Sequence, residues 1–375
     1  MQTPRVKESG PMDKRMYVPI LKWRQGEYLA VGRTSETIKD WVYPLFEIPV
    51  EQWDFENEAP AKSLDDHLKN VGKRLSTNWK KRRCLFDSPY LAGDDQVASG
   101  DHHLTHIFNL ARAAACQAIP VTGIDRHMQY QQAVAGIIAV DGRGCAIRLL
   151  PDDLESNARG KIDGLIRLLG VSPEHVDVVL DAGADVSDSP TLQASVWQAW
   201  IAALPHVASW RSLTVAGGSF PATLSPSASY RPHGDVNRRE WRAYSKLAAG
   251  SPVRQPWFGD YGCASPRTEM MDPRLFDPNA KIKYTINDMW RVVVGTQVKR
   301  HGRDQYRDLC NHLVTHLPMV FMGRSYSWGD AYIEDCANGV ASTGGSSTWP
   351  SVATNHHLTK AVRDLASLSG ALVVP

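Results

Sequence analysis

Several features that would classify a chain at once are missing from these 375 residues. There is no CxxC pair. The six cysteines, Cys84, Cys116, Cys145, Cys263, Cys310 and Cys336, lie far apart, which excludes a zinc knuckle and points to reduced thiols of a cytoplasmic chain. No apolar run approaches the ~20 residues that span a bilayer. The opening MQTPRVKESGPMDKRM has no apolar centre, so neither a secretory signal nor a membrane partner is expected. Charge of one sign is scarce too: 42 basic against 40 acidic residues leave a net charge of +2, too little to draw the whole molecule to nucleic acid. No GxGxxG turn follows the first apolar run, which removes the main support for a dinucleotide fold. HExxH and GxSxG are absent as well, and so are the HRG-like strand ends of barrel phosphodiesterases.

What the chain does contain is repetition. Eight short apolar runs end in a polar residue or a glycine-bearing turn: 17–22, 41–49, 84–89, 118–125, 144–150, 176–183, 212–220 and 256–262. Continuous rather than alternating apolar character suits strands covered on both faces, which are the strands of parallel sheets. Helix-length stretches separate the runs. SLDDHLKNVGKRLSTNW (63–79) opens with Ser63 as N-cap, and 104–117, 128–140, 154–170, 189–204 and 237–248 follow the same pattern, with Gly170 as a C-cap. The first link is the weakest, with only 34–42 available for a short helix. Eight strand–helix units predict an α/β chain whose residues 16–262 close into a (β/α)8 TIM-like barrel, preceded by a flexible tail (1–15).

After residue 262 the pattern changes. KIKYTIN (281–287) and MWRVVVG (289–295) read as paired strands about an Asn287-Asp288 turn, and 303–317, 327–339 and 356–370 as helices, the last with Asn355 as N-cap. This α+β extension (263–375) holds little aliphatic core of its own and is expected to pack on the barrel.

Closure of the barrel brings strand-end residues to one mouth: Lys22, Glu47, Asp87, Asp125, Arg148, Asp181, Ser219 and Asp260. Carboxylates crowded there repel one another. They are offset either by Lys22 and Arg148 as ion pairs, or by a divalent cation such as Mg2+ or Mn2+ with Asp87 and Asp181 as ligands. The plain alternative is a salt-bridge network without catalysis. GGSFP (217–221) makes either a nest of N–H groups for an anion, with Ser219 as hydroxyl donor, or a tight turn. WFGDYG (257–262) offers Tyr261 in a substrate-facing loop. Lys22 is placed for a Schiff base with a carbonyl or with pyridoxal phosphate, yet no stretch reads as a cradle for that cofactor's phosphate. His356 and His357 are adjacent at a helix start and project in different directions, so one metal would not take both. His356 is the candidate acid–base group.

YVPILKWRQGEYLAV (17–31), PLFEIP (44–49), GSFP (218–221), RREW (238–241), FGDYG (258–262), YT with WRVVVG (284–295), SWGD (327–330) and NHHLT (355–359) together resemble the phage- and prophage-associated beta protein family. The resemblance implies a cytoplasmic protein with a part in phage–host conflict, and a phage or operon-encoded protein as partner. It supplies no catalytic residue list. It does draw attention to Lys22, Glu27, Glu47, Asp260, Tyr284, Arg291, Asp330 and His356, which sit inside its motifs.

The expected function is a hydrolase or phosphodiesterase acting on a phosphate-containing substrate, a nucleotide or nucleic acid. Lys22, Arg148 and Arg291 would neutralise phosphate, while Glu47, Asp260 or His356 would move protons, and Ser219, Tyr261, Tyr284 and Asp330 would complete the substrate contacts. The alternative is a non-enzymatic module that recognises a phage protein, nucleic acid or small signal.

Overall fold

A computed structural model describes residues 15–154, 157–224, 232–267, 272, 274–275 and 277–371. Of the expected tail, residues 1–14 lie outside the described residues. All eight predicted strands form: β1 (Tyr17–Lys22), β2 (Leu45–Glu47), β3 (Arg83–Asp87), β4 (Gln117–Thr122), β5 (Cys145–Leu149), β6 (Val176–Asp181), β7 (Ser212–Gly217) and β8 (Trp257–Asp260). They pair in parallel and in chain order, and β8 returns to β1 through the Tyr17–Phe258 to Pro19–Asp260 register, which closes the barrel. The apolar continuity follows from burial on both faces. Val18, Ile20, Leu45, Leu85, Ile119, Val121, Ala146 and Val179 fill the lumen. Their neighbours Tyr17, Leu21, Phe46, Cys84, Phe86, Ile147 and Phe258 face the surrounding helices. At the N-terminal end Asp177 plugs the lumen, accepting from Arg211 Nη2 at 2.7 Å, Ser212 Oγ at 2.7 Å and Tyr43 Oη at 2.9 Å.

The helices hold to expectation with three departures. Residues 63–79 split into Leu64–Leu68 and Val71–Asn78, the first capped by Ser63. The link after β1 carries a full helix, Gln25–Arg33, before the short Glu36–Lys39 turn. Its polar QGE start hides the periodicity of Tyr28, Ala30 and Val31, which bury inward. The C-terminal helix begins at Thr348, not at Asn355, and runs to Leu368 with Pro350 in its first turn. Pro is tolerated there because that N–H has no partner inside the helix.

Asn355 is therefore interior. Its Nδ2 donates to Ala30 O (3.1 Å) and Thr34 Oγ1 (3.2 Å), and its Oδ1 accepts from Gly329 N (2.9 Å), joining three helices.

In the extension β9 (Asn279–Ile286) and β10 (Met289–Gln297) pair antiparallel, and His233–Asn237, a third strand from the connection after β7, joins the other edge of β10. Contrary to expectation the extension has its own core, built on Ile282, Tyr284, Val293, Leu309, Leu313, Ile333 and Trp349. Rings and thiols supply much of it, so counting aliphatic residues understates it. The C-terminal helix serves both bodies: Trp349 and Val352 belong to the extension's core, Leu358, Val362 and Leu365 to the barrel's outer layer.

Candidate functional site

Alternation along the strands decides which strand-end residues reach the lumen. Lys22, Glu47, Asp87, Arg148, Asp181 and Tyr261 continue the inward-facing rows. Arg148 stands at their centre. Its Nη1 donates to Glu47 Oε1 at 2.7 Å and Asp87 Oδ2 at 3.1 Å, its Nε to Asp181 Oδ2 at 2.8 Å, and its Nη2 to Tyr261 Oη at 2.6 Å. Arg126 Nη2 adds bonds of 2.8 and 3.0 Å to Asp87, and Tyr261 Oη donates to Asp181 at 2.6 Å. The three carboxylates are 0–1 % exposed. Crowded acids are thus offset by guanidinium. Asp87 and Asp181, the expected Mg2+ or Mn2+ ligands, spend their oxygens on arginine, tyrosine and the Gly183 N–H. Among the described residues no three His, Cys, Asp or Glu side chains are placed to hold a metal ion.

Asp260 has the opposite parity. It points out of the barrel beneath the C-terminal helix, accepting from Tyr17 Oη (2.5 Å), Gly262 N (2.9 Å) and His357 Nε2 (2.9 Å). Burial works against the Asp260 carboxylate, but His357 and Arg238 hold its pKa below the ordinary value. Burial likewise disfavours the His357 imidazolium, yet Asp260 raises its pKa to about 9. So His357, not His356, meets the β8 acid. His356 belongs to a separate buried group, with Nδ1 2.9 Å from Asp330 Oδ2, Nε2 2.7 Å from Thr285 O, and its ring stacked on Tyr284 at 3.9 Å. Tyr284 Oη donates to Asp330 at 2.5 Å, and Ser327 Oγ does so at 2.6 Å. The Ser219 N–H and hydroxyl are spent on the Glu240 carboxyl group, with Asn237 O as a second acceptor for the hydroxyl, so this turn is occupied by the protein's own side chain. Arg291 pairs with Asp235 across the β10 edge. Asp125 is exposed.

The open space lies elsewhere. A cleft of about 910 Å3 separates the barrel mouth from the extension, and of the residues singled out from the sequence Lys22 and Glu27 line it. Its wall carries six cations, Lys22, Arg24, Arg267, Lys281, Lys283 and Arg303, and among the described residues a single carboxylate, Glu27. Lys22 Nζ donates to Ser265 O at 3.2 Å, and Lys283 Nζ to Cys263 O at 2.6 Å while lying 4.1 Å from the Phe220 ring centroid. Burial lowers the pKa of Lys22 and Lys281, and brings Lys283 down to about 8. Two helix N-termini open here side by side. A Cβ on Gly26 would lie 2.6 Å from Pro350 Cβ and 3.1 Å from Ser347 O. Neither Arg24 nor Ser347 caps its helix through a side chain, and the N–H groups of Gln25, Gly26, Ser346 and Ser347 meet no acceptor among the described residues. Free N–H groups, aligned dipoles and lysine together favour an anion.

The model of a family described as Beta protein matches residues 17–363. The chain belongs to the Beta protein family. No match is found among curated proteins. Among solved structures the chain is similar to a mutant tryptophan synthase α-subunit from Pyrococcus furiosus, at 10 % identity over 68 % of this chain and 89 % of that one, with a TM-score of 0.38. It is also similar to the carboxyl transferase domain of Rhizobium etli pyruvate carboxylase, at 11 % identity over 67 % and 40 % of the two chains, with a TM-score of 0.34. The fold assignment rests on strand order and closure, not on these weak likenesses. The motifs that carry the family resemblance meet along one seam: Ser219, Arg238, Asp260, Thr285, Asp330, His356 and His357 join barrel to extension behind the cleft floor, where Cys263 Sγ lies 3.8 Å from Thr285 Oγ1.

The alternation K-I-K-Y in β9, which puts Lys281 and Lys283 on one face and Ile282 and Tyr284 on the other, was the legible signal for the cleft cations. Gly-rich GGSST ahead of a Pro was the signal for the helix N-terminus.

Proposed function

We propose that the cleft between barrel mouth and extension binds a phosphate-bearing ligand, a nucleotide or an end of a nucleic acid, and that this recognition underlies a role in phage–host conflict. The observation that carries the binding is a lining that holds, among the described residues, six cations and one carboxylate beneath two helix N-termini without side-chain caps. The context of phage–host conflict rests on the family resemblance alone. Recognition is favoured over turnover because Glu47 and Asp260, the expected proton carriers, are sealed in ion pairs away from the cleft. A hydrolase or phosphodiesterase reading would instead use Lys22 and Lys283 to offset charge on phosphorus, with any Mg2+ or Mn2+ brought in on the ligand's own phosphate oxygens.

The test is a calorimetric titration with pyrophosphate, nucleoside triphosphates and a short single-stranded oligonucleotide at an ionic strength of about 0.01 M, where screening is weak. At least one of these anions is expected to bind and to be released by salt. Reversing charge with Lys281→Glu and Lys283→Glu together should weaken it by a factor of about 100 or more. If none binds, or the double variant binds as the native chain does, the proposal is lost. Product formation on the same ligands would move the reading to the hydrolase.

A further inference from the structure

Glu27 is out of place in a cationic cleft. It stands in the first turn of Gln25–Arg33, lines the cleft, is 9 % exposed, and its Oε2 meets no hydrogen-bond partner among the described residues. The charged groups around it are Lys22 and Glu47 from the strand ends, Arg24 from its own turn, and Lys283 from the extension. The first turn of the C-terminal helix, packed against Gly26, brings Ser347 and Pro350, which carry no charge. No histidine lines the cleft among the described residues. An ionised carboxylate beside a bound oxyanion would repel it, whereas a carboxylic acid offers an O–H that an unprotonated phosphate or sulfate oxygen can accept.

We infer that Glu27 is the proton-carrying specificity residue of the cleft: it takes up a proton when a dianion binds and presents that O–H to the bound oxygen. This rests on the cleft being the anion site proposed above. Burial already pushes the Glu27 pKa up to about 7 against the pull of Arg24 and Lys22. A neighbouring dianion raises it further, so a proton moves from solvent to protein on binding. The site then prefers fully ionised dianions at the acid side of neutrality and loosens as pH rises.

The probe is sulfate, which does not itself titrate near neutrality, measured by calorimetry at pH 7 in buffers of different ionisation enthalpy. At this pH Lys283, with a pKa of about 8, is already mostly charged and adds little. The native chain should take up about half a proton per sulfate at pH 7, and its affinity should fall severalfold between pH 7 and 8, where Lys283 also loses part of its charge. Glu27→Gln, which keeps the shape and a donor, should bind sulfate with almost no proton uptake and a flatter pH profile. Sulfate binding with no uptake in the native chain overturns the inference even if the variant fails to fold. Unchanged uptake in a folded Glu27→Gln protein overturns it too. Both of those leave the anion site standing, whereas no binding by sulfate or pyrophosphate to either protein removes the site and this inference together.

Discussion

At the residue scale the buried charges divide into those that hold the fold and those that face solvent-filled space. Arg148 belongs to the first kind: one guanidinium serves Glu47, Asp87, Asp181 and the Tyr261 hydroxyl. Arg148→Met would leave the carboxylates to repel one another in the lumen, with Arg126 to offset Asp87 and Lys22 acting on Glu47 from a greater distance. Urea denaturation should show a loss of about 3–5 kcal/mol, and a loss below ~1 kcal/mol would mean that solvent reaches these groups. His357 gives a pH signature. Its folded pKa of about 9 stands above the ordinary 6.5, so its stabilisation is complete below 6.5 and disappears as pH climbs to 9. Asp260, with a depressed folded pKa, contributes above its ordinary value of 3.8 and loses that contribution as pH falls. The pair is therefore strongest between those limits. Between pH 6.5 and 9 His357 should account for a loss of about 2–4 kcal/mol of unfolding free energy, read as the difference between the pH profiles of the native chain and His357→Gln, because Glu27 and Lys283 titrate in the same window in both. Parity explains what was legible here. Five carboxylate, guanidinium and phenol positions fell on the inward rows, but Asp260 sits one residue off, and a one-residue step on a strand turns a side chain from lumen to outer face.

At the element scale the junction of Gln25–Arg33 with the start of the C-terminal helix sets the cleft. Gly26 allows the two N-termini to touch, since any side chain there would strike Pro350, whose ring cannot move aside. Gly26→Ala should cost about 1–3 kcal/mol in thermal or chemical denaturation and weaken anion binding as the N-termini part. Intact affinity in a folded variant would show that the N–H groups take no part. Asn355 pins the same pair of helices from inside, and Asn355→Leu should cost about 2–4 kcal/mol because Gly329 N loses its acceptor while Ala30 O keeps only the Thr34 hydroxyl. The sequence suggested a cap at Asn355 because Asn favours that position. Burial overrode the preference, and the run Ser351–Val362 is continuously buried, polar residues included. No hydrophobic period exists in such a stretch, since nearly every face of the helix meets protein.

At the scale of the molecule one helix, Thr348–Leu368, completes two cores, so barrel and extension should unfold together. Calorimetry is expected to show one transition, with calorimetric and van't Hoff enthalpies equal, and a chain ending at residue 347 should fail to fold. Two separated transitions would make the extension an independent domain. Strand count, order and closure were already determined by the sequence, because two-sided burial writes a continuous apolar run and eight such runs with helices between them favour a ring. The candidate site was not. The cleft is assembled from β1, β9, the start of helix Gln305–Asn311 with Arg303 before it, and two further helix starts, segments about 330 residues apart at most whose charges look ordinary in isolation. Only packing brought those cations together, and only strand parity removed Asp260 from the mouth, because burial and electrostatic partnership depend on distance in space and not on distance along the chain.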